Sequence, residues 1–273
     1  MTSKVGTAAL NHTTFAYETA GAGRPLVFIH AGIADSRMWD GQFSALAGSF
    51  KVVRYDMRGF GRTPPAEGSY AHHEDLAALL THLGLGRVSL VGCSMGSKTA
   101  LDFALQYPER VDRLVLSSPA VGGLAFDGPP PPQAAELEAA DEAGDLARVN
   151  ELEMQIWVDG PRRTPDQVNQ AVRELARQMN AIALANEGIG DEHPLQPAAA
   201  ERLSEVRAPV LVLAGDWDSP RTLAAVEQLV ATLPDVRKVM MTGAAHLPNM
   251  EQPEVYNRHL LAFLGEEGAS QEA

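Results

Sequence analysis

Gly92-Cys93-Ser94-Met95-Gly96 sets a serine between two glycines, directly after the apolar run Val88 to Val91 and directly before the helix-period residues Ala100, Leu101 and Ala104. Strand, sharp turn and helix form the setting in which a G-x-S-x-G element acts as a nucleophile elbow. Such a turn lifts one side chain off the sheet and leaves no room for β-carbons on either side, hence the glycines. A serine hydroxyl is a weak nucleophile at neutral pH unless a base takes its proton. Of the eight histidines, His246 is the best placed. It lies in Gly243-Ala244-Ala245-His246-Leu247-Pro248, just past Val239-Met240-Met241, and parallel sheets carry functional residues beyond the carboxyl ends of their strands. His72, His73, His82 and His259 fall in helical stretches, His12 in a hairpin and His193 in an acidic insertion. The base needs a carboxylate to fix its tautomer. Asp216 and Asp218 both follow the run Val210 to Leu213. Asp218, one step further into the loop, is the preferred partner, and Asp216 is expected to brace the loop through backbone hydrogen bonds. An oxyanion needs two amide donors. The N–H of Met95, after the nucleophile, is one; Gly32, in the loop His30 to Trp39, is the other. His30 is expected to tie that loop by hydrogen bonds rather than serve as a second base.

These side chains are far apart in sequence, so a sheet must gather them. Six short runs rich in β-branched residues recur: Leu26 to Ile29, Val52 to Tyr55, Val88 to Val91, Leu114 to Leu116, Val210 to Leu213 and Val239 to Met241. Several do not alternate polar with apolar, which predicts strands covered on both faces. Helix-period segments lie between them, at Leu76, Leu79, Leu80 and Leu83, at Leu101, Ala104 and Leu105, and at Leu260, Leu261 and Leu264. This alternation predicts an α/β fold with a mostly parallel central sheet flanked by helices. The first 20 residues read instead as an antiparallel hairpin at the sheet edge, turning at Leu10-Asn11-His12.

The alternation stops after residue 123 and resumes at 201. Pro129 to Pro132 excludes helix and central strand. Leu146, Val149, Leu152 and Ile156 then predict a helix capped by Asp145 and stopped at Gly160. Thr164-Pro165-Asp166-Gln167 is a capping-box start for a second helix, striped by Val168, Val172, Leu175, Met179 and Ile182 and ended by Asn186-Glu187-Gly188. Residues 1–123 and 201–273 are therefore expected to form the core, and 124–200 an inserted helical cap or lid. The insertion holds 14 acidic against 5 basic residues, most of the chain's net charge of −13. A solvated outer face accounts for that excess; selection against anionic substrates is the sharper alternative. Ile33, Met154, Trp157, Met179 and Leu247 are the expected substrate-pocket residues.

With 273 residues, 22 basic and 35 acidic, the chain can bury a core without disulfide or metal, and its field repels nucleic acid. One cysteine, Cys93, excludes an internal disulfide and a cysteine-rich zinc cage. The N-terminal residues show no signal-like apolar stretch and no apolar run approaches membrane-spanning length, so a cytoplasmic location is expected. Partners are expected to be a small-molecule substrate and, at most, a second copy of the chain in a homodimer, with neither nucleic acid nor membrane; neither metal nor cofactor is expected.

The order Ser94, Asp218, His246 is that of the α/β-hydrolases, and the chain resembles that superfamily over almost its whole length. His30 to Trp39 resembles the family's H-G loop, Asp56-Met57-Arg58-Gly59-Phe60-Gly61-Arg62-Thr63 its D-x-R-G-x-G-x-S turn, Gly92 to Gly96 the elbow and Gly215 to Asp218 the acid loop. Ala244 to Pro253 is also similar to the tail of 3-oxoadipate enol-lactonases. Departures are Ala31 for the glycine of H-G, Ser97 where a further glycine often follows the elbow, and Lys98, which has no role beyond a solvated or cap-contacting cation. The resemblance and the residues together imply a serine hydrolase acting on a small carboxylic ester, thioester or lactone through an acyl-enzyme. The alternatives are other chemistry on the same site (perhydrolysis of haloperoxidase type, C–C bond hydrolysis, cyanohydrin cleavage) and a small-ligand-binding protein without turnover.

Overall fold

In the computed structural model, which describes residues 2–265, ten strands form in chain order: β1 (Lys4–Leu10), β2 (Thr13–Ala20), β3 (Pro25–Ile29), β4 (Lys51–Tyr55), β5 (Ser69–Tyr70), β6 (Val88–Cys93), β7 (Val111–Ser117), β8 (Asp191–Glu192), β9 (Val210–Gly215) and β10 (Val236–Met241). Eight of them make one sheet in the order β1-β2-β4-β3-β6-β7-β9-β10. The β1–β2 and β2–β4 pairs are antiparallel and the rest parallel. The edge hairpin turns at Asn11 and His12, both at positive φ (46° and 67°), as a two-residue turn matched to strand twist requires.

The helices are α1 (Asp40–Leu46), α2 (His72–His82), α3 (Met95–Gln106), α4 (Ala134–Glu142), α5 (Leu146–Glu153), α6 (Gln170–Asn186), α7 (Ala199–Arg202), α8 (Pro220–Thr232), α9 (Pro248–Glu251) and α10 (Pro253–Gly265). Successive strand residues point to opposite faces, so neighbours divide between two cores. Val27 and Ile29 join one cluster with Leu76 and Leu79 of α2, Leu101 of α3 and Leu229 of α8. Leu26 and Phe28 join another with Leu46 of α1 and Tyr256, Leu260 and Phe263 of α10. This two-sided cover explains why β6 and β9 are buried at every position and why their sequences do not alternate.

Between β7 and β9 the chain leaves the sheet. Asp145 caps α5 by accepting from the Arg148 N–H (3.0 Å). A π-helical turn, Met154–Asp159, extends α5 to Gly160, which sits at φ 74°. The capping box at Thr164 forms, but it caps only the single turn Pro165–Gln167. Val168 is then extended and buried, and Asn169 starts α6 afresh by accepting from the Ala171 N–H. A β-branched residue that gains burial in extended form outweighs the local helix signal. Ala140, Val149, Leu152 and Leu184 pack as a small core within this segment. Met154, Val158 and Met179 dock it on the α1/α10 side of the sheet. Among the described residues, no helix is long and apolar enough to cross a membrane.

Candidate active site

Ser94 separates β6 from α3 with φ 53° and ψ −114°. Non-glycine residues rarely hold such a conformation, which costs on the order of 1–3 kcal/mol and persists only where surrounding structure imposes it. Here the surroundings are specific. The Ser94 N–H donates to the Ser117 carbonyl oxygen (3.0 Å), and the Ser94 carbonyl accepts from the N–H groups of Ser97 and Lys98. A β-carbon on Gly92 would lie 2.1 Å from the Gly96 oxygen, and one on Gly96 would lie 2.2 Å from the Ile29 oxygen. Both flanking glycines are therefore required by contact between backbones. Ser97, which departs from the family's glycine, adds a brace: its hydroxyl donates to the Ser94 carbonyl (2.6 Å) and accepts from the Ala120 N–H (3.0 Å).

His246 and Asp218 come from loops after the neighbouring strands β10 and β9. Nδ1 of His246 lies 2.9 and 3.0 Å from the two Asp218 carboxylate oxygens, and both side chains are buried. Among the described residues the ring's hydrogen bonds run to Asp218 alone, so Nδ1 carries the proton and Nε2 keeps its lone pair. Asp218 also accepts from the Ser219 N–H (2.6 Å). Asp216 instead accepts from the Gly243 N–H (2.7 Å), joining the acid loop to the histidine loop. A further link was not foreseen from sequence. The Ala245 N–H donates to Glu251 (2.8 Å), and Glu251 pairs with Arg163, both side chains 7% exposed. Arg163 in turn donates to the carbonyls of Val158 and Asp159. Glu251 falls within the quoted tail segment, but Arg163 is 88 positions away, and a single sequence carries no sign of that pairing.

Gly32 lies beside Met95: a β-carbon on Gly32 would stand 3.7 Å from the Met95 Cβ and Sδ. The Met95 N–H, at the first position of α3, has no intrahelical acceptor. The Gly32 loop is held from below by His30, whose Nδ1 donates to the Ala31 carbonyl (2.8 Å) while Nε2 accepts from the Met57 N–H (2.9 Å). Burial holds the His30 imidazole below its usual range, against the raising effect of its bond to Ala31, so it stays neutral in that role. Asp56 fixes the next part of the loop by accepting from the Ser36 N–H (2.9 Å) and from Arg62. Lys98, one turn beyond Ser94, pairs with Glu192 of β8 (2.6 Å).

Ser94 and His246 line one cavity of about 110 Å³, with Trp157, Phe126 and Arg221 among its walls. Trp157 lies over His246, ring centroids 4.7 Å apart and planes at 39°. A second cavity of about 290 Å³ opens on Gly32 and Met95 and is more polar, with Arg58, Glu153 and Glu192 in its walls. Burial pushes the Glu153 carboxyl up, against the hydrogen bond from Asn180. Of the expected pocket residues, Trp157 lines the first cavity. Ile33, Met154, Met179 and Leu247 are buried in the α1/α10-side core and line neither cavity. Burial of Met154 and Met179 is packing between the segment and the sheet, and Ile33 and Leu247 join the same cluster from the loops after β3 and β10.

A family model described as the alpha/beta hydrolase fold matches residues 24–253. The chain is 28% identical over 259 residues to the putative 2-succinyl-6-hydroxy-2,4-cyclohexadiene-1-carboxylate synthase of Bacillus subtilis (strain 168), covering 90% of this chain and 92% of that protein. It is 27% identical over 258 residues to the 2-hydroxy-6-oxononadienedioate/2-hydroxy-6-oxononatrienedioate hydrolase of Burkholderia vietnamiensis (strain G4 / LMG 22486), covering 91% and 90%. Among solved structures it is similar to a thermophilic esterase from Thermogutta terrifontis, with a TM-score of 0.75, 27% identity, and 96% and 98% of the two chains covered.

Proposed function

The chain belongs to the α/β-hydrolase fold family, and from that premise we propose that it is a serine hydrolase cleaving a small carboxylic ester, thioester or lactone. One observation supports this most directly: Ser94, held in a strained backbone conformation, and His246, anchored through Nδ1 to a buried carboxylate, line the same cavity. In the proposed reaction Nε2 of His246 takes the Ser94 proton as the hydroxyl oxygen attacks the substrate carbonyl. Asp218 keeps the imidazole in the required tautomer and stabilises the imidazolium. The N–H groups of Gly32 and Met95 receive the oxyanion; each donor of this kind is worth about 10²–10³ in rate. The imidazolium then gives its proton to the leaving group, and water repeats the sequence on the acyl-enzyme. Every proton is carried by a group of the chain, so the cycle needs no cofactor. Residues 124–200 act as the cap that closes the site, with Trp157 over the imidazole, and residues 1–123 and 201–273 as the core that holds the triad.

Ser94→Ala should lower turnover on activated esters by about 10⁴–10⁶ and abolish labelling by a fluorophosphonate, with the fold unchanged by circular dichroism. Esterase activity that survives the substitution removes Ser94 as nucleophile. A second reading, hydrolysis of a carbon–carbon bond at the same site, is favoured by the similarity to the dienedioate hydrolase, whose named substrate carries a ketone and no ester. A panel of activated esters and lactones, run beside a 6-oxo-dienoate, separates the two by product.

A further inference from the structure

We propose that Arg221 is a specificity-determining residue that recognises a carboxylate carried by the substrate, so that the preferred ester or lactone is an anion. This inference rests on the serine-hydrolase reading of the same site. Among the described residues Arg221 is, apart from His246, the one ionisable side chain lining the cavity shared by Ser94 and His246. The rest of that wall is apolar or hydroxylic, as in a site where few polar groups fix orientation. Buried arginines elsewhere in the chain already have acids: Arg58 pairs with Asp75, Arg163 with Glu251 and Arg173 with Asp159. Arg221 is exposed where it borders the cavity and, among the described residues, has no carboxylate partner; its contact is a stacking one, the guanidinium 5.6 Å from the Phe126 ring centroid. Phe126 lines the same cavity, so the ring holds the cation against the wall and leaves its N–H fork for a ligand.

The backbone under Arg221 is also fixed by the site. Arg221 is the second residue of α8, three positions after Asp218. Ser219 caps α8 through the Thr222 N–H (3.2 Å) while its own N–H donates to Asp218. A cation in the first turn of a helix opposes the helix macrodipole, so the stability of α8 gives no reason for an arginine there. In a chain of net charge −13 the general field repels anions. One unpaired arginine in the wall of the nucleophile's cavity then selects for a substrate whose carboxylate reaches it, and against one whose carboxylate does not.

The test compares matched substrates on the full-length protein. Mono-4-nitrophenyl esters of succinate, glutarate and adipate are assayed against neutral 4-nitrophenyl esters of equal chain length, with wild type, Arg221→Gln and Arg221→Lys. The ratio of kcat/KM, anionic over neutral, should exceed one for at least one chain length. It should fall about three- to tenfold in Arg221→Gln, recover in part in Arg221→Lys, and shrink as salt rises. A ratio that is the same in wild type and Arg221→Gln at every length overturns the inference. A second measurement is independent of turnover. On Ser94→Ala, 4-phenylbutyrate should bind about three- to tenfold tighter than 4-phenylbutyramide by calorimetry, and Ser94→Ala/Arg221→Gln should lose that difference. Equal binding, or no binding of either, counts against Arg221. Absent hydrolysis of every ester together with absent fluorophosphonate labelling overturns the serine-hydrolase reading instead and leaves the binding comparison to decide Arg221.

Discussion

Replacing Ser94 by glycine should make the protein more stable while silencing it. Ser94 holds φ 53° and ψ −114° because three backbone hydrogen bonds and two glycine contacts leave it no alternative. For a residue with a β-carbon that conformation costs about 1–3 kcal/mol; for glycine it costs nothing sterically. Glycine in turn loses about 0.5–1 kcal/mol more backbone entropy on folding than alanine does. The net gain lies between about zero and 2.5 kcal/mol, which for a chain of this size is a rise in Tm of up to roughly 4 °C. Ser94→Ala is the control, since it also removes the hydroxyl but keeps the β-carbon and therefore the strain. Scanning calorimetry on the three proteins, with ester hydrolysis measured on the same samples, decides the matter. The expected order of Tm is Ser94→Gly above both Ser94→Ala and wild type, with both variants inactive. A glycine variant no more stable than the alanine variant would show that the elbow stores no strain in its serine.

Two further outcomes follow from the same geometry. Asp218→Asn sets an amide against Nδ1 of His246 and favours the wrong tautomer, so kcat should fall by about 10⁴ with the fold kept; a loss under tenfold in a steady-state assay would deny Asp218 its role. Burial pushes the Asp102 carboxyl up to about 6, against the pull of Lys98 and with the help of Glu192. Its folded value thus exceeds its ordinary one of 3.8, so the cost of ionising it in the fold is absent near pH 4, grows with pH and is complete above about 6. Asp102→Asn should therefore raise stability by on the order of 1–3 kcal/mol at pH 8 and by little at pH 4, and an equal gain in Tm at both pH values would refute the assignment.

The parallel sheet was legible in the sequence because its strands are covered on both faces, which writes β9 as an unbroken apolar run from Val210 to Ala214 and leaves Ser89 as the one polar side chain of β6. The elbow was legible because two glycines are forced by backbone contact under 2.5 Å, and such contact permits no other residue. His246 and Asp218 could be placed at strand ends, since short loops there have few ways to turn. The cavity walls were not legible. Met179 follows a helical stripe, and a stripe says that a face is buried without saying whether protein or substrate covers it. The start of α6 was misplaced by five residues for a related reason: the capping box at Thr164 is a true local signal, but the burial of Val168 is a tertiary one. Ser97 read as a departure from a family pattern, and its two hydrogen bonds across the elbow depend on a loop 23 residues away.

The pairing of Arg163 with Glu251 has a dynamic consequence. The acid hangs from the loop that carries His246, and the arginine grips the end of the π-helical turn that carries Trp157. Swinging the 124–200 segment away as a rigid door would have to part this buried ion pair and rehydrate both charges. Any displacement of the segment must therefore either part the pair or carry the loop of His246 with it, so the covering turn and the imidazole are tied to move together.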